Sequence, residues 1–415
     1  MRIAIIGSGI AGLTCAHLLS RKHEVTVFEA EQWVGGHTHT LDVVWKGQRH
    51  AIDTGFIVFN DWTYPNFIRL LDQLKVPSQP TEMSFSVHDP MTGLEYNGHD
   101  LNTLFAQRSN LVSPGFWGMI RDILRFNRQA LADLDNQRID ASTTLGDYLQ
   151  ANRYGQRFID HYIVPMGSAI WSMSRADMLH FPLEFFVRFC RNHGLLSVNQ
   201  RPQWRVIKGG SRSYVAPLCR TFSERIRLNC KVYRVSRDEG GVTLVSAAGT
   251  ERFDNVVFAC HSDQALALLE SPSNQERAVL SAIDYASNDV VLHTDTRLLP
   301  RRQRAWASWN YRLGGPERAP AALTYNMNIL QGIQAPTTFC VSLNQTALID
   351  PAQVIARFQY AHPQYSVAAS AAQACQEQLQ GQQHSYFCGA YWGNGFHEDG
   401  VVSALKVAAH FGEHL

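Results

Sequence analysis

Gly7, Gly9 and Gly12 stand in the spacing Gly-x-Gly-x-x-Gly, and an acidic residue, Glu29, follows them. In this spacing the first glycine permits a tight turn, the second lets backbone approach a pyrophosphate, and the third lets a helix pack close to a strand. The helix N-terminus then offers its N–H groups and its positive dipole end to the phosphates. Glu29 is placed to accept hydrogen bonds from a ribose 2′-hydroxyl, and its charge repels a phosphate there, which disfavours NADP. A glycine triplet alone is weak evidence, because glycine turns are common. Here the surrounding order is complete. Residues 3–6 are an apolar strand, Leu13, Ala16, Leu18 and Leu19 carry helical spacing, and residues 25–28 form a second apolar strand that ends at the acid. A plain βαβ unit without a ligand does not explain that coincidence.

Gly35 and Gly36, followed by His37 and Thr38, resemble the GG signature of the flavoprotein family that includes monoamine oxidases and phytoene desaturases. That family usually has Arg where this chain has His37. Three further stretches extend the resemblance over the whole length. Lys208-Gly209-Gly210-Ser211, with Leu218 beyond it, resembles the family's GG…L turn and helix. Residues 254–260 resemble its strand ending in Ala, and Gly389 to Gly393 with Glu398 to Ala404 resemble its C-terminal element. In that element a helix begins under the isoalloxazine ring, where its dipole favours the anionic reduced flavin, and Gly400 lets the backbone approach the ring.

The resemblance implies FAD as cofactor. It implies contacts at Gly7, Ser8, Gly9, Ile10, Ala11, Gly12, Glu29, Ala30, Gly35, Gly36, His37, Thr38 and Gly55, and again at Val232, Gly389, Asp399, Gly400, Val401 and Val402. A narrower likeness lies in Trp171-Ser172-Met173-Ser174, in Asn192-His193-Gly194, in Arg201 to Arg205, in Trp306 to Tyr311 and in Gly395 to Gly400. These look like bacterial flavoproteins known only as predicted NAD/FAD-binding proteins, a branch associated with cyclopropane-type and other modified membrane fatty acids. That branch implies a lipid substrate.

Many amine oxidases of this fold hold a lysine, through a water, against the flavin N5. This sequence has no lysine between Lys231 and Lys406, which argues against amine oxidation by that arrangement. Cys388 precedes the glycine turn and does not match the family's attachment position, so covalent flavin is not expected. His397 precedes the helix expected to face the flavin, and Tyr391 sits in the preceding turn; both are candidate catalytic residues. In a lipid desaturase an imidazole at 397 would take a proton while hydride goes to N5. The competing reading is that His397 caps the helix or bonds a flavin carbonyl, and both stay open. His193 reads as a buried histidine satisfied by backbone. Trp171, Trp204, Trp306 and Trp309 line a tunnel on one reading and are ordinary core on the commoner one.

The elements that must position these groups fall into a broken pattern. A chain of 415 residues is too long for one simple core, so two domains are expected. The expected fold class is α/β, a Rossmann-like FAD-binding domain (1–59, 201–269 and 380–415) with an interleaved α+β substrate domain (60–200 and 270–379). Residues 60–200 read mostly helical, with helices over 65–74, 115–134 and 144–151. Strands at 226–228, 232–235 and 241–245 read as a meander feeding a last sheet strand at 255–259. Residues 270–379 read as irregular, and 385–411 as strand, glycine-rich turn and helix.

Composition narrows the class further. Hydrophobic residues at 45% and charged residues at 18% describe a globular chain. A net charge of +1 gives no support for nucleic-acid binding, and only six of the 37 basic residues are lysine. Eight scattered cysteines without a C-x-x-C pair or a His/Cys cluster exclude a metal site at familiar spacing and suggest reduced thiols in a cytoplasmic protein. The basic, apolar start reads as a first strand rather than a signal peptide, and no apolar run approaches a membrane span.

The stretch 116–128 places Arg121, Arg125 and Arg128 beside large apolar groups. Such a helix lies on an anionic membrane or, more commonly, packs on its own domain with its arginines snorkelling. The expected function is a desaturase-like FAD oxidoreductase acting by hydride transfer to flavin N5. Its expected substrate is an apolar fatty-acyl or lipid small molecule, reached from the cytoplasm or at the inner membrane face. An oxidase of a small amine, a redox-neutral flavin isomerase and a lipid-binding flavoprotein remain the alternatives.

Overall fold

The computed structural model describes residues 1–197, 201–314, 316 and 318–415. The chain divides into two compact units: Met1–Gln79, Val206–Asp284 and Ala368–Leu415 form the first, and Pro80–Arg205 with Tyr285–Val367 the second. The sequence pattern sets these changes at 59/60, 200/201, 269/270 and 379/380; residues 198–200 lie outside those described. The first difference has a physical cause. The helix Pro65–Leu74 packs on the helix His397–Ala409. The Glu398 carboxylate accepts the Asn66 N–H (3.1 Å), the Asn66 amide (2.7 Å) and the Phe67 N–H (2.9 Å). An acid at a helix N-terminus meets the orphan donors and the dipole together, so residues 65–74 belong to the first unit.

That unit is built on a five-stranded parallel sheet in the order Ile226–Arg227, Glu24–Phe28, Arg2–Ile6, Asn255–Phe258, Ser385–Phe387. Its strands read as continuous apolar runs because both faces are covered: Ile3, Ile5, Val25, Val27 and Val257 are all fully buried. The helix Ile10–Leu19 packs in this core, and Gly12 sets how close it comes. A Cβ there would lie 2.1 Å from the Gly7 carbonyl oxygen and 3.0 Å from the Ala259 Cβ. The antiparallel meander Val232–Asp238, Gly241–Ser246, Gly249–Phe253 leads into Asn255–Phe258. A hairpin, Thr40–Trp45 with Gln48–Asp53, belongs to the same unit.

The second unit holds a seven-stranded sheet in the order Val354–Gln364, Asp284–His293, Cys340–Leu343, Leu323–Asn326, Trp309–Arg312, Phe85–Asp89, Leu94–Asn97. Five of these strands lie where the sequence reads as irregular, and two where it reads as helical. For three of them the reason is length and content: the four-residue strands that bury Asn310, Thr324 and Ser342 show no apolar alternation. Its helices include Pro114–Asp135, Leu145–Ala151, Val164–Trp171 and Leu183–Asn192. Pro114 opens the longest of them, where a missing N–H costs nothing. Among the described residues no helix is long and apolar enough to cross a membrane.

Candidate functional site

The strand Arg2–Ile6 delivers Gly7 into a turn at φ +105°, a value that favours glycine. The Gly7 N–H bonds the Phe28 carbonyl at 2.8 Å, which ties the turn to the second strand. Gly9 precedes the helix Ile10–Leu19, and no side chain caps that helix. A Cβ built on Gly9 meets no protein atom within 4 Å. Gly36 backs onto Gly9, its own notional Cβ falling 3.2 Å from the Gly9 Cα. An uncapped helix start, open space at the second glycine and a second glycine pair beside it fit the diphosphate of a dinucleotide.

Glu29 is buried at the end of Glu24–Phe28. Its Oε2 accepts the Ser8 N–H at 2.9 Å and the Ser8 hydroxyl at 2.5 Å, and its Oε1 accepts the Glu31 N–H at 2.9 Å. Three of the roughly four acceptor positions of a carboxylate are therefore filled from within the chain. The Ser8 hydroxyl also accepts the Gly35 N–H at 3.2 Å, so turn, acid and glycine pair form one connected group. Ala30, next along, is exposed. Val232 is buried at the start of the meander, two residues beyond Cys230, whose N–H bonds the Glu29 carbonyl at 2.8 Å.

The opposite end of the candidate set gathers around the helix His397–Ala409. The Gly400 position touches the first helix: a Cβ there would meet Ile10 Cγ2 at 2.7 Å. Close packing of the two helix starts gives this glycine a structural reason of its own, beside the approach to a ring that the sequence pointed to. Val401 is fully buried in the core with Ala404 and Ile10, and Val402 is half-buried. Asp399, half-buried, accepts the Phe396 N–H at 2.9 Å and so makes the cap of this helix; desolvation pushes its carboxyl up to about 6.

His397 does not cap. Its ring is buried, stacked on Phe56 with centroids 3.4 Å apart and edge-on to Phe67. Its Nε2 lies 3.0 Å from the Thr38 hydroxyl and 3.1 Å from the Tyr214 hydroxyl, which are 2.5 Å from each other. Burial, and then the neighbouring His37, hold this imidazole well below the usual histidine range, so it is neutral. His37 itself is lowered to about 4 by burial and by His261. Gly55 closes against His37: its notional Cβ would lie 2.2 Å from the His37 carbonyl oxygen. Gly389 and Tyr391 lie in the turn between Ser385–Phe387 and the last helix. Gly389 donates its N–H to the Ser403 hydroxyl at 2.9 Å. Tyr391 is buried with its ring 4.9 Å from that of Trp392, and its carbonyl accepts the Gln373 amide at 2.7 Å.

One device is not legible in the sequence. Asp53 is fully buried, and its Oδ1 accepts the Thr40 hydroxyl (2.5 Å), the Ser211 hydroxyl (2.9 Å) and the Ser211 N–H (2.9 Å). Burial pushes the carboxyl up to about 6 despite these donors. The turn at Gly209-Gly210 delivers Ser211, since any side chain at 210 would meet Thr40 Cγ2 at 2.4 Å. Asp53 thereby latches the Lys208-Gly209-Gly210-Ser211 motif to the hairpin. The only signal in the sequence is an acid beside the Thr54-Gly55 turn, which fits many structural roles.

His193, Trp171, Trp204, Trp306 and Trp309 belong to the second unit. The His193 Nδ1 lies 3.0 Å from the Phe189 carbonyl oxygen, and burial lowers the ring to about 4. Trp171 packs in an aromatic cluster with Phe181 and Phe189, at 4.5 and 4.8 Å between centroids. A cleft of about 440 Å³ in the same unit is lined by His88, Pro90, Gly93, Glu95, Arg301 and Arg302, none of them a candidate from sequence. Among the described residues no group of His, Cys, Asp and Glu is arranged to hold a metal ion.

Residues 10–327 match the family described as flavin containing amine oxidoreductase. No curated protein matches the chain. Solved structures do. A fatty acid isomerase from P. acnes that produces CLA is 15% identical, with 99% of this chain and 98% of that one covered and a TM-score of 0.72. A putative protoporphyrinogen oxidase from Exiguobacterium sp. 255-15 is 17% identical, with the same coverage and a TM-score of 0.68. Cyclohexylamine oxidase from Brevibacterium oxydans IH-35A is 16% identical over the same shares, with a TM-score of 0.66. At such identity these likenesses establish the fold.

Proposed function

The chain belongs to the flavin-containing amine oxidoreductase family, and on that premise we propose that this FAD-dependent oxidoreductase acts on an apolar, lipid-like small molecule rather than an amine. One observation carries the reading. Residues 80–205 and 285–367, the whole second unit, contain no lysine, and a lysine is what many amine oxidases of this fold set against the flavin. The aromatic cluster of Trp171, Phe181, Phe185, Phe186 and Phe189 in that unit supports an apolar substrate. Such clusters also serve as plain core, so this support is secondary.

Bound FAD supplies two-electron chemistry at its isoalloxazine. The chain's residues would hold it from two sides of the first unit. The N–H groups of Ile10, Ala11 and Gly12 would meet the diphosphate, with Gly9 and Gly36 giving room. Glu29 would offer its remaining acceptor position to a ribose hydroxyl, while Asp399 and the start of the last helix would serve the isoalloxazine half. Thr38 and His37 stand between these groups in sequence.

For His397 the two hydroxyls on Nε2 and the depressed basicity support holding Thr38 in place rather than taking a proton. Tyr391 remains the candidate with a phenol at the turn entering the last helix. Anaerobic mixing of the purified yellow protein with fatty acids or phospholipids, and separately with primary amines, tests the reading. Bleaching of the flavin by the lipids is the expected result. Bleaching by amines alone overturns it, and lipid product without bleaching points to isomerisation.

A further inference from the structure

The helix Pro114–Asp135 buries Phe116, Met119, Phe126 and Ala130 against its own unit. Its other face exposes large apolar side chains beside arginines. Trp117, Arg121, Leu124 and Arg128 are all exposed, and at about 100° per residue they fall within a stripe of roughly 60°. Trp117 and Leu124 show 47% and 52% of their surface, and just before the helix Leu111 and Val112 show 48% and 83%. The Trp117 indole N–H donates to the Leu111 carbonyl at 2.9 Å, which holds the ring beside that turn. Exposed apolar residues scattered singly need no explanation, but a contiguous group marks a contact surface.

Charge says what the contact is. Arg125 is committed: it lies 3.5 Å from Asp122 and 3.9 Å from the centre of the Tyr154 ring. Arg121 and Arg128 have no carboxylate partner among the described residues. Between Pro114 and Ala132 the one acidic residue is Asp122, which is buried and accepts the Gly155 N–H at 2.9 Å. The carboxylate that follows on this face, Asp135 at the helix end, is paired with Arg191 at 2.7 Å, so the stripe from Trp117 to Arg128 is apolar and cationic. A second copy of this chain is a poor occupant, because a two-fold contact sets the same patch against itself and would bury like charges without partners. A bilayer carrying anionic headgroups answers both halves: tryptophan sits at the headgroup level, and guanidinium groups pair with phosphates in a fork geometry.

We propose that the second unit docks on an anionic lipid bilayer through Leu111, Val112 and the Trp117–Arg121–Leu124–Arg128 stripe. The inference deepens the lipid-substrate reading, and the two are separable because docking is read from vesicle binding and substrate from flavin bleaching. Holoprotein is sedimented with vesicles of phosphatidylglycerol and phosphatidylcholine, and with phosphatidylcholine alone, at low and high salt. The expected result is binding to the anionic vesicles that fades with salt. Arg121→Glu with Arg128→Glu lowers it about 30-fold or more, on the order expected for two lost surface cations.

Trp117→Ala lowers binding about tenfold. The arginine-to-glutamine pair, which removes charge without reversing it, falls between wild type and the glutamate pair. Unchanged FAD absorbance shows that each variant is folded. No binding to anionic vesicles, equal binding by the glutamate pair, or a dimer in solution that Trp117→Ala dissolves would each overturn the proposal.

Discussion

The sheet of the first unit buries Ile3, Ile5, Val25, Val27 and Val257, whereas the sheet of the second buries a row of polar side chains in register across four strands. Ser86 donates to the Asn310 side-chain oxygen at 2.9 Å, and the Asn310 amide donates to the Thr324 carbonyl at 3.0 Å. Thr324 and Ser342 share a hydrogen bond of 2.7 Å, and Ser342 lies 2.8 Å from the His293 Nε2. The Asp295 N–H closes the row on the His293 Nδ1 at 3.0 Å. Buried polar groups are tolerated when every member is bonded and are costly when one is not. The first unit sets its main buried polar groups outside the parallel sheet, at glycine turns, in the Asp53 latch and in the Thr38–Tyr214–His397 group. The second stores polar chemistry within its sheet, in side chains that strand register brings together.

The largest effects come from the glycines, and a pair of them separates fold from cofactor. Gly12→Ala places a methyl 2.1 Å from the Gly7 carbonyl, so soluble yellow protein should not be recovered. Gly9→Ala meets no protein atom, so the apoprotein should fold with a near-normal melting temperature and fail to retain FAD. If both variants behave alike, the assignment of open space at Gly9 to the cofactor is wrong.

Next in size is a pair that no motif announces. Arg237 and Glu276 are nearly wholly buried and paired through both guanidinium nitrogens, and Arg237 also donates to the Ser271 carbonyl at 2.9 Å. Arg237→Ala leaves a buried carboxylate without its cation, a change that costs about 3–5 kcal/mol. Chemical denaturation should show the loss, and replacing both partners with apolar residues should recover much of it. A loss under about 1 kcal/mol would show the pair to be dispensable.

In the second unit, Ser342→Ala removes the shared partner of Thr324 and His293. The expected loss is about 1–3 kcal/mol, with FAD content unchanged because the row lies in the other unit. Loss of flavin from this variant would break the contrast between the two sheets.

Much of the first unit is legible in the sequence because its chemistry is local. The turn, the acid at Glu29 and the glycine pair lie within a single βαβ stretch, and the strands read as apolar runs since both faces are buried. The helix 65–74 is legible from Phe67, Leu70 and Leu71, but its owner is not, because Glu398, more than 300 residues away, caps it. The Thr38–Tyr214–His397 group and the Asp53 latch are hidden for the same reason. Each member is unremarkable in its own segment and acquires meaning from partners brought in by the fold. The middle of the second sheet is illegible: the strands Trp309–Arg312, Leu323–Asn326 and Cys340–Leu343 are four residues long, and residues that would have marked them as half-buried are polar yet fully enclosed.

The smallest effect concerns acid, and it again divides the units. His293 is lowered to about 4 by burial, so between about 4 and 6.5 the unfolded chain binds a proton that the folded one refuses. Stability from this group is complete above pH 6.5 and is lost as pH falls toward 4. His193, also lowered to about 4, acts with the same sign in the same unit. In the first unit His37 and His397 behave alike, but Asp53 and Asp399 oppose them. Their carboxyls are raised to about 6, so between 3.8 and 6 the folded chain holds protons the unfolded chain releases, and stability rises as pH falls through that window.

The second unit should therefore soften first on acidification from about pH 7 to about pH 5, which hydrogen exchange resolved by segment will report. His293→Gln should flatten that response by roughly 1–2 kcal/mol over the interval, since a tenfold difference in proton affinity between folded and unfolded chains is worth about 1.4 kcal/mol, whatever the variant loses at neutral pH. Comparing slopes rather than absolute stabilities removes the cost of the altered hydrogen bond. An unchanged slope would mean that the polar row lets His293 take its proton, and that the second sheet is less closed to charge than its burial implies.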